Sequence, residues 1–150
     1  MGGESYEGAV GGFAFVDTMS ETLRTKLYAS TKQFPSILYQ YLQDVERQHW
    51  ECREMVMDTF SVNFSEAAED VAALFHCKLV PISAGTPQEL AFAESGVRNL
   101  AKISKSMLNG APHLPKYCWG LADGYATVVH DVLPQRSKGR RSPFEMRHNR

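Results

Sequence analysis

A mixed α/β fold, a sheet with flanking helices, is what this sequence predicts, and three observations carry the prediction. Short β-favouring runs (Phe13-Ala14-Phe15-Val16, Met55-Val56-Met57, Leu79-Val80-Pro81-Ile82) alternate with longer stretches whose apolar residues recur every three to four positions. A strand, a helix and a second strand follow one another over residues 53–82, the order that gives a right-handed parallel crossover. The 150 residues, 43% of them apolar, have the size of one ordinary globular domain, undivided by a linker or a second composition regime.

The elements follow in order. Residues 1–12 are Gly-rich and read as a ragged end. Phe13–Val16 is a strand, and 25–29 is its hairpin partner across a turn near Ser20-Glu21. Ser30 or Thr31 caps a helix over 31–49 that buries Phe34, Ile37, Leu38, Tyr41, Leu42 and Val45, with Pro35 tolerated in its first turn. Arg53–Asp58 is the next strand, and its continuous run Met55-Val56-Met57 suits a central parallel position. Ser65 caps a helix that buries Ala67, Val71, Leu74 and Phe75, and Lys78–Ile82 is a short strand. The crossover then places Asp58 at the carboxyl end of its strand, where open α/β sheets hold ligands.

The stretch 87–108 carries the clearest amphipathic signal. Val97, Leu100, Ala101, Ser104, Met107 and Leu108 form its packing stripe, while Glu94, Arg98, Lys102 and Lys105 share another face. That polar face is either a solvated salt-bridge ladder or a set of contacts to a nucleic-acid backbone. After a turn-rich break at 110–115, a helix over 117–132 is apolar on much of its circumference, as a core helix is, with Gly120 and Gly124 allowing close approach.

Composition excludes several classes. No apolar run is long enough to cross a bilayer, and the opening is unlike a signal peptide, so a soluble intracellular protein is expected. Three cysteines, Cys52, Cys77 and Cys118, suit reduced thiols packed as small hydrophobes rather than a disulfide framework. His49-x-x-Cys52 and His76-Cys77 lack an accompanying Cys-x-x-Cys, which argues against zinc. The five histidines read as surface or capping residues, and Asp123, His130 and Asp131 as exposed or capping groups rather than metal ligands. No repeat, phosphate-binding Gly-rich loop, paired nucleophile or dinucleotide fingerprint is present. Charge is uneven. Residues 136–150 carry six basic residues against Glu145 alone, a net +5 that leaves −6 for residues 1–135 from the total of −1. This basic tail is either a source of salt-sensitive nucleic-acid affinity or simply solvated. The expected division is therefore 1–12, a core over 13–135, and the tail over 136–150.

Asp58 and Glu94 are the residue types that hold hard divalent cations against a phosphodiester, and thirty-five residues separate them. Three further features accompany the pair: Phe15-Val16-Asp17 with Ser20, Thr86-Pro87-Gln88 ahead of Glu94, and Trp119 with Ala122 and Ala126. In this order and spacing they resemble the catalytic core of copia-type retrotransposon integrases, which are DDE polynucleotidyl transferases of ribonuclease H-like fold, over roughly Ser5 to Glu145. In that family the second Asp and the Glu of the catalytic set correspond to Asp58 and Glu94. The chain departs from the pattern at Phe60, where the family has Gly, and at Leu90-Ala91, where it has Asn-Gly; both make the catalytic loop stiffer.

The resemblance implies DNA strand transfer with Mg²⁺ or Mn²⁺ held by Asp58 and Glu94, and DNA-backbone contacts from Arg98, Lys102 and Lys105. It also implies retroelement cDNA ends and target DNA as partners, a homo-oligomer within a larger polyprotein-derived integrase, a nuclear location and no membrane. The family's first catalytic Asp lies on a strand before the Phe-x-Asp strand, where only Glu4 and Glu7 precede Phe13. A core truncated on its N-terminal side and lacking its first, central strand is therefore expected. Three readings follow: the carboxyl-side portion of an integrase core, a degenerate and catalytically silent retroelement fragment that binds nucleic acid, or an unrelated interaction domain with coincidental spacing.

Overall fold

The computed structural model of the chain describes residues 3–58, 65–82, 87–135 and 139–148. In chain order the elements are strands β1 (Gly11–Val16) and β2 (Leu23–Tyr28), helix α1 (Phe34–Arg47), strand β3 (Glu54–Asp58), helix α2 (Glu66–Leu74), strand β4 (Lys78–Ile82), and helices α3 (Pro87–Gly110), α4 (Trp119–Val132) and α5 (Pro143–His148). The mixed α/β prediction holds, with the strands in two pairs, β1 with β2 and β3 with β4. The chain divides into two compact units, residues 1–29 with 92–150, and residues 30–91.

In the first unit β1 and β2 form an antiparallel hairpin with register from Gly11↔Tyr28 to Val16↔Leu23. Its turn is held by the residues that sequence reading singled out as a motif. The Asp17 carboxylate accepts the N–H groups of Met19 (3.2 Å) and Ser20 (3.3 Å) and the Ser20 hydroxyl, while Glu21 takes a φ of 62°. Leu23, Leu100 and Ala126 form the core, with Val16 and Ile103 packed against it. Gly96 sets the approach of α3, because a Cβ there would stand 3.2 Å from both Leu23 Cδ1 and Val16 Cγ2. The α3 stripe is thus Gly96, Leu100 and Ser104, four residues apart, and Val97, expected inside, is exposed.

Ser104 is fully buried and its hydroxyl has no hydrogen-bond partner among the described residues. Ser104→Ala removes an unsatisfied polar group from the core and is expected to stabilise the protein by about 1 kcal/mol, read as a higher urea midpoint at unchanged slope.

Helix α4 corrects its expected role. Ala122 and Ala126 are buried, and Gly120 admits the hairpin closely, since a Cβ there would lie 2.8 Å from Leu27 Cδ1. Leu121, Tyr125, Val128 and Val132 are exposed, however, and Gly124 faces open space, so the helix is buried along one stripe rather than all round. An apolar circumference shows only that a helix can be buried, not that neighbours cover every side. The opening, expected to be ragged, is built in. Ser5 is buried, its N–H donates to Ala9 O (2.7 Å) and its hydroxyl accepts the Ala9 N–H (3.1 Å), while Tyr6 N–H donates to Tyr117 O (2.8 Å). Glycine-rich composition signalled a loose end, but the Ser5–Ala9 turn bonds and the bond to Tyr117 order it.

Within the second unit, Ser30 and Gln33 form a capping box ahead of α1, which buries Phe34, Ile37, Leu38, Leu42 and Val45 as its periodicity predicts, while Tyr41, expected inside, is half-buried. The Ser65 hydroxyl accepts the Ala68 N–H (3.3 Å) and starts α2, which packs on α1. The buried residues of α2 are Ala68 and Ala72; Leu74 and Ala67, expected inside, are exposed, a one-residue rotation of the face. Both helices end through a histidine in the left-handed region, His49 (φ 59°) and His76 (φ 53°). In each the next N–H returns to the helix, Trp50 to Val45 O (3.2 Å) and Cys77 to Ala72 O (2.9 Å), before a strand begins. Strands β3 and β4 are parallel, from Glu54↔Lys78 to Asp58↔Ile82. Met57 is buried but Val56 is exposed, so the apolar run does not mark a strand covered on both faces. No helix among the described residues is long and apolar enough to cross a membrane.

Candidate functional site

Asp58 is the last residue of β3, in register with the buried Ile82 at the carboxyl end of the parallel pair. This is the backbone position expected from the crossover. Residues 59–64 and 83–86 lie outside the described residues, as do the side chains of Asp58 and of residues 87–90. The departure at Phe60 and the Thr86-Pro87-Gln88 motif fall there.

Glu94 lies in α3 as predicted and is exposed, as are Arg98, Lys102 and Lys105. At 100° per residue the three cations sit 40°, 80° and 20° round the helix from Glu94, by the usual helical geometry of roughly 3.6 residues per turn. They make one face, and from Arg98 to Lys105 it extends roughly 10 Å along the axis. No ion pair joins Glu94 to Arg98 among the described residues, so the salt-bridge ladder does not form there. Asp58 belongs to the 30–91 unit and Glu94 to the other, and each is placed within its own unit.

Among the described residues no three His, Cys, Asp or Glu side chains converge as metal ligands. The two matched carboxylates are nonetheless hard oxygen donors of the kind Mg²⁺ and Mn²⁺ select, so their chemistry fits a divalent cation while falling short of a three-carboxylate set.

Sequence reading missed a buried polar network in the first unit. His130 and Asp131, expected to be exposed or capping groups, are 7% and 4% exposed. Asp131 Oδ1 accepts the Leu23 N–H at 2.9 Å and lies 3.3 Å from His130 Nδ1, and Oδ2 pairs with Arg24. Burial pushes the Asp131 carboxyl up, but the His130, Leu23 and Arg24 interactions outweigh it and hold the group below the ordinary aspartate value of 3.8. Arg147, assigned to a free basic tail, is buried and donates to Thr22 Oγ1 at 2.9 Å from α5. Asp17 carries the turn described above, and Trp119 donates its indole N–H to Gly3 O (3.2 Å), so both motif residues have structural roles. A concavity of about 280 Å³ opens between Val16, Phe92, Gly96, Asn99, His130 and Gln135; neither Glu94 nor the three cations of α3 line it.

No protein-family model matches the chain, and no curated protein matches it in sequence. Solved structures do match. The simian T-cell lymphotropic virus intasome, determined in complex with PP2A regulatory subunit B56 gamma, aligns with a TM-score of 0.74 at 13% identity over 90% of this chain. The present chain spans about half of that protein, 47% of its length. The magnesium complex of the HTLV-2 integrase catalytic core domain, in its trimeric form, aligns at 0.72 and 14% identity over 91% of this chain and 84% of that one. The catalytic core domain of BIV integrase aligns at 0.66 and 15% identity, over 89% and 82%. At these identities the likeness speaks for architecture, and this chain has the mixed α/β, ribonuclease H-like fold of retroviral integrase catalytic cores.

Proposed function

We propose that the chain is an integrase core of the copia retrotransposon type, acting on DNA ends and target DNA. The observation that carries this reading is the integrase-core fold around a sequence with Asp58 ending parallel strand β3 and Glu94 in α3, thirty-five residues intervening. In this reading Asp58 and Glu94 hold Mg²⁺ or Mn²⁺, and the bound cation supplies Lewis acidity at a phosphodiester oxygen. Arg98, Lys102 and Lys105 hold the DNA backbone by charge, independently of sequence. Self-association and a nuclear location belong to the same reading; the HTLV-2 core is known in dimeric and trimeric forms.

A second reading, a catalytically silent nucleic-acid-binding chain, is favoured by the donor count. Two divalent cations bring four positive charges against two from Asp58 and Glu94, and no third carboxylate joins a cluster among the described residues. On this second reading the 150-residue chain is expected to bind Mn²⁺, followed by water-proton relaxation, and to give no joined products from labelled duplex DNA. Asp58→Asn or Glu94→Gln should each weaken Mn²⁺ binding by at least about tenfold, or about 1.4 kcal/mol. Unchanged Mn²⁺ affinity in both variants would remove the metal assignment. Joined products that vanish with Glu94→Gln would show instead that the two carboxylates suffice.

A further inference from the structure

Cys52 and Cys77 each stand just before a strand of the β3–β4 pair, on the turn that leads out of α1 or α2. The two helices end by the same left-handed histidine closure, which delivers Cys77 with its N–H bonded to Ala72 O at 2.9 Å. The parallel ladder then ties the two approaches together, with Lys78 N–H donating to Arg53 O at 2.9 Å. As a result the two sulfurs, 25 residues apart in sequence, lie 3.7 Å apart. Both are thiols; Cys77 is buried and Cys52 partly exposed. They belong to one unit, while Cys118 belongs to the other.

We infer that Cys52 and Cys77 are a redox-modification site, closing to a disulfide with a small-molecule disulfide such as oxidised glutathione as oxidant. A bond needs the sulfurs at about 2 Å, a shift that side-chain rotation at the partly exposed Cys52 can deliver without moving the ladder. The order of events follows from exposure. The Cys52 thiolate attacks the glutathione disulfide, one glutathione thiolate leaves, and Cys52 carries the mixed disulfide. Cys77 then gives its proton to solvent and attacks Cys52 Sγ, expelling the second glutathione. Two thiols are oxidised, one disulfide is reduced, and both protons end on glutathione. The hydrogen bond to Cys52 and burial both push the Cys77 thiol up, which keeps it protonated until the mixed disulfide forms beside it.

The closed bond clips the β3–α2–β4 segment at its amino-terminal end, roughly 20 Å of strand from Asp58 at five to six residues of about 3.3 Å each. It leaves the Asp58 end untouched, so its effect is on the stability of this unit.

Equilibrating the purified chain with oxidised glutathione, then alkylating under denaturing conditions and mapping peptides by mass spectrometry, tests this. The expected product is a Cys52–Cys77 linked peptide with Cys118 alkylated, a melting temperature raised by about 5–10 °C, and full reversal by dithiothreitol. Cys118→Ser should behave as the parent, and Cys52→Ser should yield no linked peptide. Alkylation of all three cysteines, a stable glutathione adduct on Cys52, or a linked peptide containing Cys118 would each overturn the assignment.

Discussion

Asp131→Ala is expected to lower stability by about 2–4 kcal/mol, a loss that centres on one buried carboxylate. Asp131 joins the end of α4 to the start of β2, through the Leu23 N–H and Arg24, and it lies against His130. Alanine leaves the Leu23 N–H without its acceptor beside one of the most buried side chains of the unit core. Arg24 is 38% exposed and keeps its bond to Leu23 O at 2.8 Å, so its share of the loss is smaller than for a fully buried pair. Asp131→Asn keeps an oxygen for Leu23 and loses only the charge, for about 1–2 kcal/mol. Urea unfolding reads both.

The pH dependence has a definite sign. The folded value lies below the unfolded 3.8, so the stabilisation is complete above the unfolded value and is lost as pH falls through the folded one. As pH falls through 3.8 and then through the lower folded value, the gap in stability between the parent and Asp131→Asn should therefore narrow. A constant gap would place the contribution of Asp131 outside its ionised form.

What the sequence made legible was local. The hairpin, the Ser30 and Ser65 caps and the limits of β4 follow from signals within a few residues, and the structure reproduces them. The face of α2 was misjudged because Ala67, Ala68, Ala72 and Ala73 carry almost no pattern; Leu74 then drew the stripe one residue off, whereas small Ala68 and Ala72 are what lie buried. Val56 was misjudged because an apolar run cannot say whether a neighbour covers it. The Asp131 and Arg147 networks were out of reach, since their partners stand 107, 108 and 125 residues away. A polar residue looks solvent-seeking until the group that satisfies it is known. Glu94 in α3 and Asp58 at the end of β3 were legible as positions, while their joint role came only through the family resemblance.

Replacing Arg98, Lys102 and Lys105 together by alanine is expected to weaken binding to duplex DNA by about 500-fold at 0.1 M salt. The figure follows from counterion release. Each phosphate neutralised contributes about 0.9 to the slope of log affinity against log salt, so three contacts remove about 2.7 from it, and ten-fold dilution from 1 M salt converts that to a ratio of this size. All three side chains are exposed on one face of α3, and alanine has the highest helix propensity, so far-UV circular dichroism should not change. Arg147 adds nothing to the count, because it is buried against Thr22. Arg53→Ala is the matched control: it removes one positive charge that already sits 3.0 Å from Glu51, in the other unit, and should leave the slope alone. Loss of affinity should be equal for unrelated duplex sequences, since phosphate contacts position DNA without reading it. If the triple variant keeps the parent slope to within one unit, the α3 face does not touch the backbone and is a solvated surface, and whatever DNA affinity the chain has belongs to other cations.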